Sequence, residues 1–376
     1  MVACGSMALV KPFRALRYDV GAAGPLDDLV APPHDVISPE AEERLLAASR
    51  YNAVRLARPR DAQEAARLLD EWCRTGVLVR ERTPAVWILE EEFAGPDGPP
   101  RRRRGLAARV RLHPYEDGVV LPHERTFPPQ KERRLELLRA TRTKLSPVLL
   151  LHEGTPPPEP AGEPRLEAEL DGVHNRLWAL EEPEEIERVL GLVGGRLLIA
   201  DGHHRYETAL RFHQEDPSEE TAYVLAVLVS RDDPGLAILP THRLTAGPLP
   251  ELDGGLRSTD LGAPEEALAL LGSLPADRGA FVLLRPEGAS LVEAEGPALD
   301  TAVVDALPLE GVSFTSSAAE AEVAVATGAA TAAFLVRPPT VEQVEAFALA
   351  GERMPPKSTY FYPKLATGLL FSPFDE

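Results

Sequence analysis

Five consecutive residues, Asp201 to Arg205, concentrate more functional groups than a connection between two elements needs. They supply a carboxylate, a glycine, two imidazoles and a guanidinium. The apolar run Leu197 to Ala200 precedes them and predicts a buried strand, while Tyr206 and Leu210 lie on one side of a predicted helix. The five residues are therefore expected to form the turn from a strand into a helix.

This turn has the chemistry of an anion site. The first N–H groups of a helix carry a partial positive charge that attracts phosphate. Gly202 allows a ligand to approach the backbone closely. Arg205 can hold a phosphate or carboxylate through two parallel, charge-assisted hydrogen bonds. The sequence therefore predicts a phosphate-binding turn.

Two other interpretations of the turn stay open. In the first, Asp201 caps the helix and the histidines lie on the surface, because aspartate is a favoured N-cap residue. In the second, Asp201, His203 and His204 are metal ligands, and a further acid or imidazole comes from elsewhere in the chain.

A second polar segment, Leu121 to Pro147, contains a helix that is predicted to end near Arg142. Its basic residues form a candidate positive island in an acidic chain: Arg125, Lys131, Arg133, Arg134, Arg139, Arg142 and Lys144. Glu124 lies among these bases on a proline-flanked loop, where it can act as a general base toward a hydroxyl group. The alternative is an ordinary ion pair between Glu124 and Arg125.

Three further segments carry candidate site residues. His34 and Asp35 are displayed on a loop made rigid by prolines, either as part of a site or as a simple turn. Thr241, His242 and Arg243 follow a predicted strand and are expected to face the same ligand, with a free loop as the alternative. Near the end of the chain, the predicted donors to an anionic ligand are Lys357, Ser358, Thr359 and Lys364, with a docked aromatic tail as the alternative.

The alternation of strand and helix patterns predicts a mixed α/β (α+β) fold. The expected organisation is an N-terminal α+β region over residues 7–152, a proline-rich linker over 153–165, a central α/β unit over 166–245 and a C-terminal α+β region over 246–376. The 376 residues suffice for two or three domains with their own cores.

Three local patterns carry definite expectations. Ser38 and Pro39 predict the start of a helix that ends near Ala48. Tyr51 to Leu56 is predicted as a strand. Val86 to Phe93 and Gly105 to Leu112 are predicted as a hairpin whose loop, Ala94 to Arg104, carries a Pro-Asp-Gly turn and four arginines. Those arginines are expected to form a solvated tip opposite Glu90 to Glu92.

Composition and charge restrict the class of protein. Hydrophobic residues at 44% and charged residues at 26% are ordinary values for globular proteins. A formal net charge of −19 argues against nonspecific binding to nucleic acid or to anionic membranes. With two cysteines, Cys4 and Cys73, no disulfide framework is suggested, and a reducing cytoplasm is expected. Met1 or Met7 can be the native start.

Six motifs in chain order resemble the family called domain of unknown function 1015. They are Lys11-Pro12-Phe13, Ala31-Pro32-Pro33-His34-Asp35-Val36-Ile37, His123-Glu124-Arg125-Thr126, Ala200-Asp201-Gly202-His203-His204-Arg205-Tyr206, Thr241-His242-Arg243 and Met354-Pro355-Pro356-Lys357-Ser358-Thr359. The resemblance spans almost the whole chain and implies membership without implying a function.

The turn also resembles the phosphate-binding segment of the ParB and sulfiredoxin superfamily, which includes a kinase that phosphorylates free serine with ADP. This resemblance implies a ParB/sulfiredoxin-like central unit in which Gly202, His204 and Arg205 hold nucleotide phosphates. Sulfiredoxin has a reactive cysteine at the position of His203, so sulfinic acid reduction is not implied. Neither the net charge nor a helix-turn-helix pattern supports the DNA clamping of the ParB branch.

The leading hypothesis is a nucleotide-dependent phosphotransferase that uses ATP or ADP with Mg²⁺ and a small hydroxyl acceptor, with free serine as the first guess. The predicted catalytic residues are Glu124, Asp201 and His203. Glu124 is the expected general base, and Asp201 is expected to orient Mg²⁺ or the acceptor. The residues predicted to bind phosphate or nucleotide are Gly202, His204, Arg205, Arg125, Thr126, Thr241, His242, Arg243, Lys357, Ser358, Thr359 and Lys364.

Two alternative functions remain at this point. One is a metal-dependent phosphoesterase acting on a small phosphorylated metabolite, with Asp201, His203 and His204 among its ligands. The other is a nucleotide-binding regulatory protein without turnover. No nucleic-acid or membrane partner is expected, and the sequence leaves the oligomeric state open.

Overall fold

A computed structural model describes residues 9–95, 98–252 and 255–374. The predicted Pro-Asp-Gly turn includes residues 96–97, so it lies partly outside the described residues. Cys4 and the two candidate start residues, Met1 and Met7, also lie outside them. The chain forms two compact units, residues 9–237 with 363–374 and residues 238–362. Among the described residues, no helix is long and apolar enough to cross a lipid bilayer.

The strands are numbered in chain order. They are β1 Val10–Lys11, β2 Leu16–Tyr18, β3 Leu78–Arg80, β4 Val86–Ala94, β5 Pro100–Arg111, β6 Val120–Leu121, β7 Thr143–Lys144, β8 Val148–His152, β9 Leu166–Leu170, β10 Val173–Leu180, β11 Leu197–Asp201, β12 Tyr223–Ser230, β13 Ala237–Leu239, β14 His242–Thr245, β15 Leu256–Gly262, β16 Arg278–Arg285, β17 Gly288–Pro297, β18 Val312–Thr315, β19 Ala332–Leu335, β20 Tyr360–Tyr362 and β21 Ser372–Pro373.

The helices follow the same order. They are α1 Val20–Ala23, α2 Pro39–Ala48, α3 Val54–Ala57, α4 Ala62–Arg74, α5 Pro128–Thr141, α6 Pro183–Leu190, α7 His203–Glu215, α8 Pro264–Ser273, α9 Asp300–Asp305, α10 Ala318–Ala326 and α11 Val341–Leu349. Short 3₁₀ turns lie at Leu26–Asp28 and Tyr115–Asp117.

The first unit is built on a mixed sheet with the strand order β6-β11-β8-β12-β5-β4-β10-β9, and β1 also pairs with β5. The β11–β6 and β12–β8 pairs are parallel, and the other pairs are antiparallel. All residues of β8 and β12 are buried, as is typical of apolar strands that are covered on both faces. The mixed α/β fold predicted from the sequence is therefore confirmed.

Helix α7 packs against this sheet through its buried side chains. Tyr206 is fully buried in the same hydrophobic cluster as Ile199 of β11 and Val224 of β12. Its hydroxyl donates to the His113 carbonyl at 2.9 Å and accepts from the His113 N–H at 2.9 Å. The polar end of Tyr206 is therefore satisfied, and the start of α7 is fixed to the segment that follows β5.

Capping residues set the start of α2 as the sequence predicts. The Ser38 hydroxyl accepts a hydrogen bond from the Ala41 N–H at 3.2 Å, and Pro39 occupies the first helical turn. The predicted end near Ala48 is also confirmed.

The strand predicted at Tyr51 to Leu56 is wrong, because this segment turns into the short helix α3. The buried Asn52 side chain accepts from the Val54 N–H at 2.9 Å and donates to the carbonyls of Asp28 and Val30. These bonds stabilise a turn at Asn52 in place of an extended strand.

The predicted hairpin is confirmed, but its loop is shorter than expected. All four arginines belong to β5, whereas they were predicted to lie at a solvated tip. Glu90, Glu91 and Glu92 pair in register with Arg104, Arg103 and Arg102. These cross-strand pairs extend both strands by matching opposite charges. The Arg103 and Glu91 side chains are 0% and 1% exposed, with Nη2 and Oε2 at 2.6 Å.

The second unit contains a six-stranded sheet with the order β15-β17-β16-β19-β14-β18. Side chains of β16 alternate between two cores: Val282 packs with α8 and α10, and Phe281 packs with α9. Helices therefore cover both faces. Strands β15 and β18 were not predicted: most residues of β15 are polar and exposed, and β18 is a four-residue strand whose residues are mostly exposed.

The predicted segment boundaries do not coincide with the two units. Strands β9 to β12, which lie within the expected central segment 166–245, belong to the same sheet as β4 and β5. The proline-rich segment 153–165 joins β8 to β9 inside the first unit. The final segment 363–374 also belongs to that unit.

Burial of His152 predicts an acid-sensitive first unit. Burial lowers the pKa of His152 to about 4, and Nδ1 accepts from the Gly154 N–H at 3.0 Å. Between pH 6.5 and 4 the unfolded chain takes up a proton that the folded chain excludes, so the free energy of unfolding falls as pH falls. For one such histidine the loss approaches about 3 kcal/mol.

We expect His152→Asn to reduce this loss, because the Asn amide oxygen can accept the same hydrogen bond without titrating. Urea denaturation of the wild type and the variant at pH 7.5, 5.5 and 4.5 measures the effect. His174→Asn is the control, since the His174 side chain is 40% exposed. An unchanged pH dependence in His152→Asn would contradict the prediction.

Candidate functional site

The turn between β11 and α7 is formed by Gly202, which adopts the left-handed conformation with φ 98° and ψ 28°. Gly202 is the N-cap residue of α7, and no side chain caps this helix. The proposed capping by Asp201 is therefore wrong, since Asp201 is the last residue of β11. A Cβ atom at Gly202 would lie 2.9 Å from Arg205 Nε. Both the backbone angle and this contact favour glycine.

Asp201 joins two cations beside this turn. Its Oδ1 accepts a hydrogen bond from Lys364 Nζ, and its Oδ2 accepts one from Arg205 Nη2. Arg205 Nη1 donates to the Pro147 carbonyl. Burial raises the pKa of Asp201, but Lys364 and Arg205 outweigh burial and hold that pKa below its usual range. Asp201 is therefore a carboxylate that fixes both cations.

The loop with His34 and Asp35 reaches the same cluster. Arg134 Nη2 donates to His34 Nδ1, and burial lowers the pKa of His34. Burial raises the pKa of Asp35, whereas His34, Arg205 and Lys364 lower it far below the usual range. His34, Asp35, Asp201, Arg205 and Lys364, which are far apart in sequence, thus interact electrostatically.

Arg134 is the third cation of this cluster. Burial and the neighbouring charge of Arg205 lower its pKa to about 10, so it remains protonated at neutral pH. Three basic side chains, Arg134, Arg205 and Lys364, therefore face two carboxylates, Asp35 and Asp201. The cluster carries a net positive charge in an acidic chain.

His203 turns away from solvent, toward the Glu124 loop. Its Nε2 accepts from the His123 N–H at 3.2 Å, and its Nδ1 lies 3.6 Å from Glu124 Oε2. Because Nε2 is an acceptor, the neutral ring carries its proton on Nδ1, on the side of Glu124. The His203 side chain is 1% exposed and that of Glu124 is 34% exposed. This geometry can position Glu124 while leaving it accessible.

His204 connects the turn to the start of α5. Its Nε2 accepts from the Phe127 N–H at 3.0 Å, and the two rings stack. Burial, followed by the charge of Arg134, lowers the pKa of His204.

Thr126 Oγ1 donates to Glu207 Oε2 at 2.6 Å, and Lys131 Nζ lies 2.9 Å from the same oxygen.

Arg125, another predicted phosphate-binding residue, is exposed on the loop before α5. It lies one residue from Glu124 in sequence. Its participation in binding stays a prediction.

The arrangement does not favour the metal-ligand interpretation. Asp201 binds two basic side chains, and His203 and His204 each accept a backbone N–H through Nε2. Over residues 9–95, 98–252 and 255–374, no group of three or more His, Cys, Asp or Glu side chains is placed to hold a metal ion. A Mg²⁺ ion at Asp201 would have to displace Lys364 or Arg205, so Asp201 does not fit as its ligand.

Arg243 is buried in the second unit and pairs with Asp305. Its guanidinium is fully buried and forms a two-point ion pair with Asp305, at 2.9 and 3.0 Å. Its other donors reach the carbonyls of Thr241, Lys357 and Pro356. All five N–H groups of the guanidinium are therefore used. Ligand binding by Arg243 stays a prediction that these contacts do not favour.

The other predicted residues of the second unit have mixed environments. Val336 N–H donates to Nδ1 of the buried His242, and burial and Arg243 lower the pKa of His242 to about 4. Ser358 is buried, with its hydroxyl 3.1 Å from Thr301 Oγ1. Lys357 is exposed and Thr359 is half-buried. Their roles in ligand binding stay predictions.

A small cavity of about 50 Å³ lies beside Arg205 in the first unit. Its polar lining residues include Arg134, Lys144, Ser146 and Thr208. Lys144 is 7% exposed, and burial together with Arg109 lowers its pKa to about 7. The cavity can hold one small polar group next to the positive cluster.

Residues 10–302 match the family described as "Protein of unknown function (DUF1015)". The chain belongs to this family. The predicted family membership is therefore confirmed, and five of the six motifs lie within the matched residues, whereas Met354 to Thr359 lies outside them. No curated protein matches the chain.

Several solved structures are similar to this DUF1015 chain. A free serine kinase in complex with AMP shares 17% identity, covers 67% of this chain and 89% of its own, and has a TM-score of 0.40. A conserved hypothetical protein from Pyrococcus furiosus shares 17% identity, covers 66% of this chain and 89% of its own, and has a TM-score of 0.36. SbnI with a C-terminal truncation, from Staphylococcus aureus, shares 13% identity, covers 68% of this chain and 85% of its own, and has a TM-score of 0.30.

Arg134 belongs to the basic segment that the sequence predicts, but it was not among the predicted site residues. Its signal is helical spacing: Gln130, Arg133, Arg134 and Leu137 follow the i, i+3, i+4, i+7 pattern on α5. The role of the Pro147 carbonyl has no sequence signal, because any residue supplies a carbonyl.

Proposed function

We propose that this DUF1015 protein is a nucleotide-dependent phosphotransferase that acts on a small hydroxyl compound. The observation that carries the proposal is the glycine-capped start of α7, beside which Arg134, Arg205 and Lys364 surround two carboxylates. This is a local positive site in a chain with a formal net charge of −19.

The nucleotide phosphates would bind at the start of α7. Its first N–H groups lack carbonyl partners within the helix, and a glycine N-cap supplies no side-chain acceptor. Asp201 and Pro147 engage two of the five N–H groups of Arg205. The remaining N–H groups of Arg205 form no hydrogen bond with the described part of the chain and can contact a phosphate.

Asp201 has a positioning role in this proposal. It holds Arg205 and Lys364 in fixed orientations before the nucleotide binds, so less side-chain entropy is lost on binding. During transfer, the same cations stabilise the negative charge on the phosphoryl oxygens. Mg²⁺ bound to the nucleotide would neutralise further charge, and no residue is assigned to that ion.

Glu124 is the proposed general base, and His203 is its positioning residue. The acceptor hydroxyl oxygen attacks the terminal phosphorus of ATP or ADP, and the bond between that phosphorus and the bridging oxygen breaks. The hydroxyl proton passes to Glu124, and the shortened nucleotide leaves with the bridging oxygen. Free serine is the first acceptor to test, by the resemblance of the turn to the superfamily with a free serine kinase.

Phosphorus NMR tests this proposal directly. The protein is incubated with ATP or ADP, with and without Mg²⁺, and with serine or other small hydroxyl compounds. The expected result is a new phosphomonoester signal that grows as the terminal phosphate of the nucleotide is lost. Nucleotide binding without turnover would identify a regulatory protein. Phosphate release from a phosphomonoester without nucleotide would identify a phosphoesterase.

A further inference from the structure

A larger cavity, of about 380 Å³, lies on the other side of Arg134 within the first unit. We call it the arginine cavity. Its charged lining residues are Arg58, Arg60, Asp61, Arg133, Arg134 and Glu136. Its volume falls within the range of small-molecule sites, roughly 300–1,000 Å³.

The lining of this cavity is positively charged. Four arginines, Arg58, Arg60, Arg133 and Arg134, compare with two acids, Asp61 and Glu136. Asp61 is the N-cap of α4, where its Oδ1 accepts from the Glu64 N–H at 2.8 Å. In a chain with a formal net charge of −19, such a cavity attracts small anions over their uncharged analogues.

Two of the arginines are braced by the protein. Arg58 Nη2 lies 3.0 Å from Glu42 Oε2, and its Nη1 donates to the Ile37 carbonyl at 2.5 Å. Arg134 donates to His34 Nδ1. These contacts hold the two guanidinium groups in place at the wall of the cavity.

The other two arginines retain donors for a ligand. Arg133 forms one long hydrogen bond, from Nη2 to the Pro59 carbonyl at 3.4 Å. The Arg60 guanidinium makes no hydrogen bond or ion pair with the described residues; its backbone N–H donates to Glu64 Oε2 at 3.1 Å. Guanidinium groups with unused donors are suited to two-point contacts with carboxylate or phosphate.

The position of the cavity connects it to the proposed phosphate site. Ala57, Arg134 and Leu137 line both this cavity and the small cavity beside Arg205. A molecule in the arginine cavity would therefore be separated from the Arg205 side by the wall that these three residues form.

We propose that the arginine cavity binds a small organic polyanion with at least two carboxylate or phosphate groups. Arg60 and Arg133 contact its charges directly, and Arg58 and Arg134 complete the positive wall. Binding of this polyanion in the arginine cavity does not depend on the proposed phosphotransferase function.

Isothermal titration calorimetry without nucleotide tests the cavity. The probes are citrate, 3-phosphoglycerate and inorganic phosphate, with glycerol as the uncharged comparison. We expect saturable binding of citrate or 3-phosphoglycerate, weakened roughly tenfold or more in Arg60→Gln and in Arg133→Gln, because each loses charge-assisted hydrogen bonds. Arg67→Gln is the matched control, since Arg67 is exposed on α4 and does not line the cavity.

The outcomes separate this proposal from the proposed function. Absence of saturable binding by all three anions, or equal affinities in the Arg60, Arg133 and Arg67 variants, would overturn the cavity proposal. A parallel titration with ATP and ADP tests the nucleotide site in the same proteins, and Arg60→Gln is expected to leave it unchanged. If the anions bind and nucleotides do not, the cavity proposal stands while the phosphotransferase proposal fails.

Discussion

Replacement of Glu124 by glutamine is expected to lower the rate of phosphate transfer by about 10²- to 10⁴-fold, the contribution typical of a positioned general base. Glutamine keeps the size of the side chain but cannot accept the hydroxyl proton. Nucleotide affinity should stay the same, because the phosphates are assigned to the start of α7. Single-turnover kinetics and a nucleotide titration on the same variant measure the two effects separately.

Glu132→Gln is the control for this substitution. Glu132 lies on the exposed face of α5, where it pairs with Arg139 and Arg211, so its loss should leave turnover unchanged. A Glu124→Gln protein with wild-type turnover would remove Glu124 from the mechanism. A loss of nucleotide affinity equal to the loss of turnover would make Glu124 a binding residue.

Replacement of Arg103 by methionine is expected to lower the free energy of unfolding by about 3–5 kcal/mol, because it leaves a buried carboxylate without its partner. Arg103 and Glu91 are both fully buried, and burial raises the pKa of Glu91 against the opposing effect of Arg103. Arg103 Nη2 also donates to the Pro363 carbonyl at 2.7 Å. Lys364 follows Pro363 directly, so the substitution should also weaken nucleotide binding.

Urea denaturation measures this loss, with Arg102→Met as the control. The Arg102 side chain is 53% exposed, and its ion pair with Glu92 should contribute less than about 1 kcal/mol. The double variant Arg103→Met with Glu91→Leu should recover much of the stability, because no unpaired charge remains buried. Equal losses in the Arg103 and Arg102 single variants would contradict this account.

Elements with strong local signals were predictable from the sequence. Ser38 and Pro39 fix the start of α2 through a capping hydrogen bond and a favoured first-turn proline. The apolar run Tyr223–Ser230 predicts β12 because such runs form strands buried on both faces. The strand prediction for Tyr51 to Leu56 was wrong because Asn52 donates hydrogen bonds to the carbonyls of Asp28 and Val30, which are distant in sequence.

The site was predictable in its parts but not in its pairings. The turn from β11 into α7 is predictable from the local sequence. Lys364 is predictable as a candidate donor to an anionic ligand because it is basic. The contact between Lys364 and Asp201 joins residues 163 positions apart, and only the packing of segment 363–374 in the first unit creates it. The same holds for Arg134 and His34, which are 100 positions apart.

The distribution of arginines shows why charge patterns alone mislead. Arg103 lies in a run of four arginines that suggests a solvated tip, yet cross-strand pairing buries it against Glu91. Arg243 follows a histidine in a motif that suggests a ligand site, yet Asp305 and three carbonyls use its donors. In both cases burial against an acidic partner, 12 positions away for Arg103 and 62 positions away for Arg243, determines the role of the guanidinium.

The central claim is that nucleotide phosphates bind at the start of α7. Calorimetric titration with ATP, ADP and CTP, each with and without Mg²⁺, tests it most directly when wild type, Arg205→Gln and Arg211→Gln are compared. Arg211 is the control, since it lies on α7 with its side chain 49% exposed. The account predicts saturable binding of at least one nucleotide that Arg205→Gln weakens roughly tenfold or more and Arg211→Gln leaves unchanged. Binding of no nucleotide, or equal binding by all three proteins, would contradict it.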